Sequence, residues 1–168
     1  MGEVDVKKLL YMQRQLNERI VREHTLNNEE LYNKRLLAFL VELGELANET
    51  RSFKYWSTKG PSPDEVILEE YVDGLHFVLS ICLDLGAEEL QVPLEKLEQE
   101  DSDSITSRFI TLCRQASSLA DDRKRERVML LFEEYLLLGQ ALGFTFSQIE
   151  EGYLKKNEVN HTRQDSGY

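Results

Sequence analysis

Apolar positions recur at i, i+3 and i+4 along almost the whole chain, with few strand-like alternations, and that period marks helices. The first predicted helix covers about Val4 to Glu23 and offers Leu9, Leu10, Met12, Leu16 and Ile20 to a core. A second, capped by Asn27 or Asn28, runs to about Thr50. The loop from Arg51 to Pro63 then carries the sole tryptophan, several basic residues and turn formers. Ser62-Pro63-Asp64-Glu65 supplies an N-cap, a proline in the first helical position and a capping box, opening a third helix that runs to about Leu85 and stops at Gly86. Glu88 to Asp103 is acidic, weakly periodic and interrupted by Pro93, so it is read as an irregular or short-helical surface connection. Two more helices, about Ile105 to Leu119 and Arg123 to Leu142, follow, the second ended by Gly143. Ser147 and Glu150 form another capping box, for a last helix to about Lys156; the polar remainder lacks helical period and reads by composition as disordered. The expectation is one all-α domain over 1–168, a bundle of about five to seven helices.

Two of these helices carry an unusual pattern. At about 100° per residue, Glu42, Glu45 and Glu49 fall in one narrow stripe, flanked by Phe39 and Leu46 on one edge and Val41 on the other. Leu36, Leu40, Leu43 and Ala47 fill the opposite side. On the third helix Glu70 and Asp73 lie close together, with Val66, Phe77 and Ile81 in the same sector and Leu68, Tyr71, Leu75, Val78, Leu79 and Cys82 opposite, so this helix is apolar nearly all round and expected to be central. Carboxylates set among apolar neighbours are rarely buried without a partner. No Lys or Arg lies within Leu36 to Glu49 to act as one, so a cation from elsewhere is expected. Residues three apart on a helix hold their Cβ atoms about 5–6 Å apart, and each pair makes a pincer. The stretch between Glu45 and Glu70 is long enough for a helix end, a loop and an antiparallel return, which would make the pincers face each other. Four such oxygen donors suit hard divalent cations, Mg²⁺ best, and two ions about 3.5–4 Å apart would activate a water and stabilise a leaving phosphate oxygen.

Composition narrows the partners. Lys+Arg 20 against Asp+Glu 31 gives a formal net charge of −11, which argues against nucleic acid or an anionic membrane as the main partner. A small phosphorylated substrate remains compatible, given metal ions and a local basic cluster such as Lys155, Lys156 and Arg163. No run approaches the about 18 apolar residues of a membrane span, and the N-terminus lacks a signal peptide's apolar core, so a cytoplasmic protein is expected. Cys82 and Cys113 fall in apolar helical stretches without metal-ligand spacing and are expected to be buried free thiols of a reducing compartment.

ELGELANETRSFKYW, EEYVDGLHFVLS and the closing YLKKNEVNHTRQDSGY together resemble the dimeric, all-α dUTPase family, within the all-α nucleoside triphosphate pyrophosphatases that include the MazG-type enzymes. ExxE followed by ExxD marks that superfamily; the tail pattern KN-x-x-N-x-x-RQ-x-x-GY is more specific to dUTPases, and Gln13-x-x-Leu16-Asn17 is similar to their first motif. The resemblance implies a Mg²⁺-dependent homodimer that hydrolyses dUTP, and commonly dUDP, to dUMP. Carried onto this chain, Glu42, Glu45, Glu70 and Asp73 would hold two or more metal ions, and Glu42 or Glu45 would orient or deprotonate the attacking water. Gln13 and Asn17 would line a uracil pocket with Trp56 near it, while His76, Lys156, Asn157, Asn160 and Arg163 would contact deoxyribose and phosphates, the tail 157–168 closing over the substrate. Two competing readings remain: a related enzyme acting on another nucleotide such as dCTP, and a non-enzymatic helical interaction module whose acids decorate a dimer seam.

Overall fold

A computed structural model describes residues 5–167, so the predicted helix start at Val4 and the closing Tyr168 of the tail motif lie outside the described residues. Six helices and no strand occur among those residues: α1 (Val6–Glu23), α2 (Asn28–Thr50), α3 (Asp64–Asp84), α4 (Ser102–Ser118), α5 (Arg125–Ala141) and α6 (Phe146–Asp165). The all-α expectation holds. Among the described residues no single helix is long and apolar enough to cross a membrane.

Helix α3 is the centre of the bundle. It packs against α1, α2, α5 and α6, and its residues from Tyr71 to Cys82 are buried except Asp73 and Phe77, as its nearly continuous apolar surface requires. The α2–α3 pair is antiparallel. Arg35 near the start of α2 pairs with Asp84 at the end of α3 at 2.6 Å, and the Ser62 amide ahead of α3 donates to the Glu49 carbonyl near the end of α2 at 3.0 Å. The two acidic turns are therefore opposed across one groove.

Close packing of α3 on α5 depends on two small residues. Tyr71 and Tyr135 stack with centroids 4.5 Å apart, and each hydroxyl donates to the other residue's carbonyl. A Cβ at Gly74 would overlap the Tyr135 hydroxyl, and one at Gly139 would lie 2.7 Å from the Tyr71 hydroxyl, so both positions exclude any larger residue without displacing a ring. Gly86 and Gly143 end α3 and α5 in the left-handed conformation, as their positions predicted.

Both capping boxes read from sequence are absent. Pro63, not Ser62, is the N-cap of α3 and makes no side-chain cap bond, because the Ser62 hydroxyl donates to the Glu49 carboxylate instead. Helix α6 begins two residues earlier than a Ser147 box requires, with the box formed by Thr145 and Gln148. It also continues past Lys156 to Asp165, so most of the polar tail is helical rather than irregular. Polar ties to α1 accompany that extension: Arg19 donates to the His161 carbonyl at 3.2 Å and pairs with Asp165 at 2.5 Å, and the His24 ring meets the Gln164 amide at 3.0 Å. Of the two forms expected for the acidic connection between α3 and α4, it takes the irregular one. It is pinned at its far end, where the Glu100 amide donates to the Ala141 carbonyl at 2.9 Å and Arg108 grips the Glu100 carboxylate at 2.7 and 2.8 Å. Both cysteines are free, but only Cys82 is buried; Cys113 is exposed on α4, against expectation, because it falls on the outer face of that helix.

Candidate functional site

One carboxylate oxygen from each of Glu42, Glu45 and Glu70 lies within 4.8 Å of the others. Helix α2 presents the first two one turn apart, and antiparallel α3 brings Glu70 to meet them. The sheltering predicted for the acidic stripe is uneven. Glu42 and Glu70 are half-buried, each with its Oε2 atom buried and without a hydrogen-bond partner, whereas Glu45 is exposed because its edge of α2 faces outward with Val41. Burial, then repulsion from Asp73 and Glu45, pushes both the Glu42 and the Glu70 carboxyls up to about 7.

The fourth predicted acid stands beside this trio but is otherwise engaged. Asp73 accepts Lys156 Nζ at 3.0 Å, and the same ammonium reaches Glu69 at 3.3 Å. Burial raises the Asp73 carboxyl, and the Lys156 bond partly offsets that rise. The trio fits a hard divalent cation on two counts: its donors are all carboxylate oxygens, and two buried oxygens have no partner among the described residues.

From Glu42 and Asp73 a cleft of about 580 Å³ extends along the groove between α2 and α3, walled by α1 and α6. Six of the predicted substrate residues were Gln13, Asn17, His76, Lys156, Asn160 and Arg163, and all six line it. Two others do not. Asn157 is buried behind the wall, one residue past Lys156 and turned inward, and Trp56 lies in the loop after α2, about two-thirds exposed (64%), with its ring against Phe53 and Tyr55.

The end of the cleft away from the carboxylates is a closed hydrogen-bond circuit. Gln13 Oε1 accepts from His76 Nδ1 at 2.6 Å and from the Tyr153 hydroxyl at 2.9 Å; Gln13 Nε2 donates to Asn17 Oδ1 at 2.9 Å. Asn17 Nδ2 donates to Ser80 Oγ at 3.1 Å, and Ser80 donates to the His76 carbonyl at 2.8 Å. Since an amide oxygen only accepts, the proton of neutral His76 sits on Nδ1. Burial, with Lys156 adding to it, lowers the imidazole to about 3, so it is uncharged near neutrality, and its Nε2 is buried without a partner. Sequence reasoning passed over Ser80 and Tyr153, which complete this circuit, together with the cleft-lining Lys34 and Arg35. The available signal was spacing: Ser80 stands one helical turn from His76, and Tyr153 three positions before Lys156.

Comparison with curated proteins gives no match. A family model described as dUTPase matches residues 5–168, spanning every helix that builds the carboxylate trio and the cleft. On that match the chain belongs to the dUTPase family and is a dUTP diphosphatase.

Proposed function

We propose that the protein hydrolyses dUTP, and also dUDP, to dUMP with Mg²⁺ held by Glu42, Glu45 and Glu70, joined by Asp73 once Lys156 turns to a phosphate. The observation that carries this reading is the convergence of three carboxylate oxygens within 4.8 Å, two acids with an unpartnered buried oxygen, at one end of a cleft whose other end is a neutral, oriented amide pair. When bound, the metal supplies charge neutralisation on the phosphates and acidification of a water. Glu42 or Glu45 accepts the proton of the attacking water. Lys156 and Arg163 offset the remaining phosphate charge, and His76 and Asn160 lie along the path between phosphates and base. The uracil edge meets Gln13 and Asn17, and buried amides left unpaired by the wrong base disfavour it.

A substrate panel tests the reading. The expected result is Mg²⁺-dependent release of dUMP with a steep preference for dUTP over dCTP and dTTP. Equal rates on all three would reduce the protein to a general nucleotide pyrophosphatase, and rates unchanged by chelation would remove the metal.

Two further features belong to the same reading. The helical end of α6 brings Asn160 and Arg163 to the cleft, supporting a role for 157–168 in closing over bound nucleotide, which protection of that segment from proteolysis by dUMP and Mg²⁺ would register. Leu37 and Val41 stand one turn apart on α2 and are 61% and 51% exposed, a face that a second copy would cover in a homodimer; a monomeric sedimentation mass removes that assignment. Trp56 stands outside the cleft, about two-thirds exposed in the loop after α2.

A further inference from the structure

The amide pair can read a base only if its polarity is fixed, and its own chemistry does not fix it. A side-chain amide rotated by half a turn exchanges donor for acceptor at almost no steric cost. Asn17 spends one Nδ2 hydrogen on Ser80 and one side of Oδ1 on Gln13, leaving one hydrogen and one lone pair. Uracil offers an acceptor beside the N3–H donor, and cytosine offers an amino donor beside the N3 acceptor. For a base held in one place by its sugar and phosphates, the observed Asn17 polarity suits the first, and the rotated one suits the second.

We propose that Tyr153 is the positioning residue that sets this polarity, holding Gln13 and through it Asn17 in the orientation that favours uracil over cytosine. The inference rests on the base-reading role given above to Gln13 and Asn17.

The circuit has two self-consistent arrangements. In the observed one, Gln13 Oε1 receives hydrogens from His76 Nδ1 and from Tyr153. In the inverted one, Gln13 Nε2 donates to a bare His76 Nδ1, the imidazole proton moves to Nε2, Gln13 Oε1 accepts from Asn17, and Ser80 donates to Asn17, to whose oxygen its hydroxyl already stands at 3.4 Å. Histidine alone cannot choose, because each of its neutral tautomers serves one arrangement. Serine can accept from Asn17 or donate to it, but donating would take its hydrogen from the His76 carbonyl at 2.8 Å, so it adds a bias of its own at Asn17 and touches nothing at Gln13. The Tyr153 hydroxyl does discriminate: it donates to Gln13 at 2.9 Å, and inversion would force its hydrogen onto the Leu9 carbonyl at 3.3 Å. The residue is fully buried and its ring stacks on the imidazole at 4.4 Å, so the hydroxyl is held in place and removing it spares the stacking.

Tyr153→Phe in the full chain is the test, read in two ways. The ratio of kcat/KM for dUTP to that for dCTP should fall about three- to tenfold, as expected for one lost hydrogen bond, mostly through KM for dUTP. The ¹⁵N signals of His76, which report where the imidazole proton sits, should show Nδ1 protonated in the wild type and a mixture in the variant. Tyr71→Phe is the control, because it removes a buried hydroxyl bonded at 2.8 Å to the Tyr135 carbonyl without touching Gln13; it should leave ratio and signals as they are. The inference is overturned by a wild-type imidazole protonated on Nε2, a readout that needs no folded variant. It is equally overturned if Tyr153→Phe keeps the wild-type ratio and signals, or if Tyr71→Phe lowers the ratio as much. A wild type that does not distinguish dUTP from dCTP defeats the base-reading role instead, and the imidazole signals still decide whether Tyr153 orients Gln13.

Discussion

The two ends of the cleft are built on opposite principles. At the amide end Gln13, Asn17, Ser80 and Tyr153 each have a partner, as His76 does through Nδ1, none of the five is charged near neutrality, and the atoms are held as a substrate would need them. At the carboxylate end like charges crowd together and buried oxygens have no partner, which costs stability in the protein by itself. Specificity can be preorganised with neutral hydrogen bonds. Charge neutralisation of phosphates cannot, because the cation that performs it must come with the substrate or before it. An end tuned for binding is therefore expected to lose function and stability together when altered, while an end tuned for catalysis loses function and gains stability.

The largest expected effect breaks that comparison most sharply. Glu70→Gln keeps the shape of the side chain and removes one of the repelling charges. Turnover of dUTP should fall on the order of 10³-fold while the melting temperature without metal stays level or rises. Added Mg²⁺ should raise the wild-type melting temperature and leave the variant's nearly unmoved. A variant that melts lower and still responds to Mg²⁺ would show that Glu70 serves the fold instead.

At the other end Asn17→Ala should cost about tenfold in kcat/KM for dUTP, with a smaller loss for dCTP, and should also lower the melting temperature by leaving Gln13 and Ser80 with a missing partner. Equal losses for the two nucleotides would separate Asn17 from base choice.

The difference between the ends also decides what could be read from the sequence. The acid pincers were legible because helical periodicity alone puts Glu42 beside Glu45 and Glu70 beside Asp73, and the apolar surround of α3 marked it as central. Long-range polar bonds were not legible. Ser62 was expected to cap its own helix, yet its hydroxyl serves Glu49, thirteen positions away. The helical state of 157–165 shows no apolar period, and contacts from Arg19 and His24 on and beside α1 accompany it. Lys156 was expected on phosphate and is found on Asp73, a pairing that spacing cannot foresee. Tyr153 escaped notice because a tyrosine among apolar helix positions looks like any core residue until its hydroxyl is seen to meet Gln13.

The smallest expected effect is a pH dependence in which the ends pull in opposite directions. Glu42 and Glu70 move from the ordinary 4.5 to about 7 on folding, so between those values the folded protein holds protons that the unfolded chain has released, and stability falls as pH rises through that window. His76 moves from 6.5 down to about 3, so between those values the unfolded chain holds a proton that the folded protein lacks, and stability rises with pH up to 6.5. Below 6.5 the contributions partly cancel, and above it only the acids act. Glu70→Gln deletes one of the falling contributions and leaves the histidine untouched. In EDTA its melting temperature relative to wild type should therefore start near zero at pH about 4.5 and widen in favour of the variant to about 1–3 °C by pH 7.5, a modest gain because the acids are only half-buried. A difference that stays constant across that range would mean that Glu70 is not held up by burial and its neighbours, and the contrast between a strained end and a satisfied one would lose its electrostatic basis.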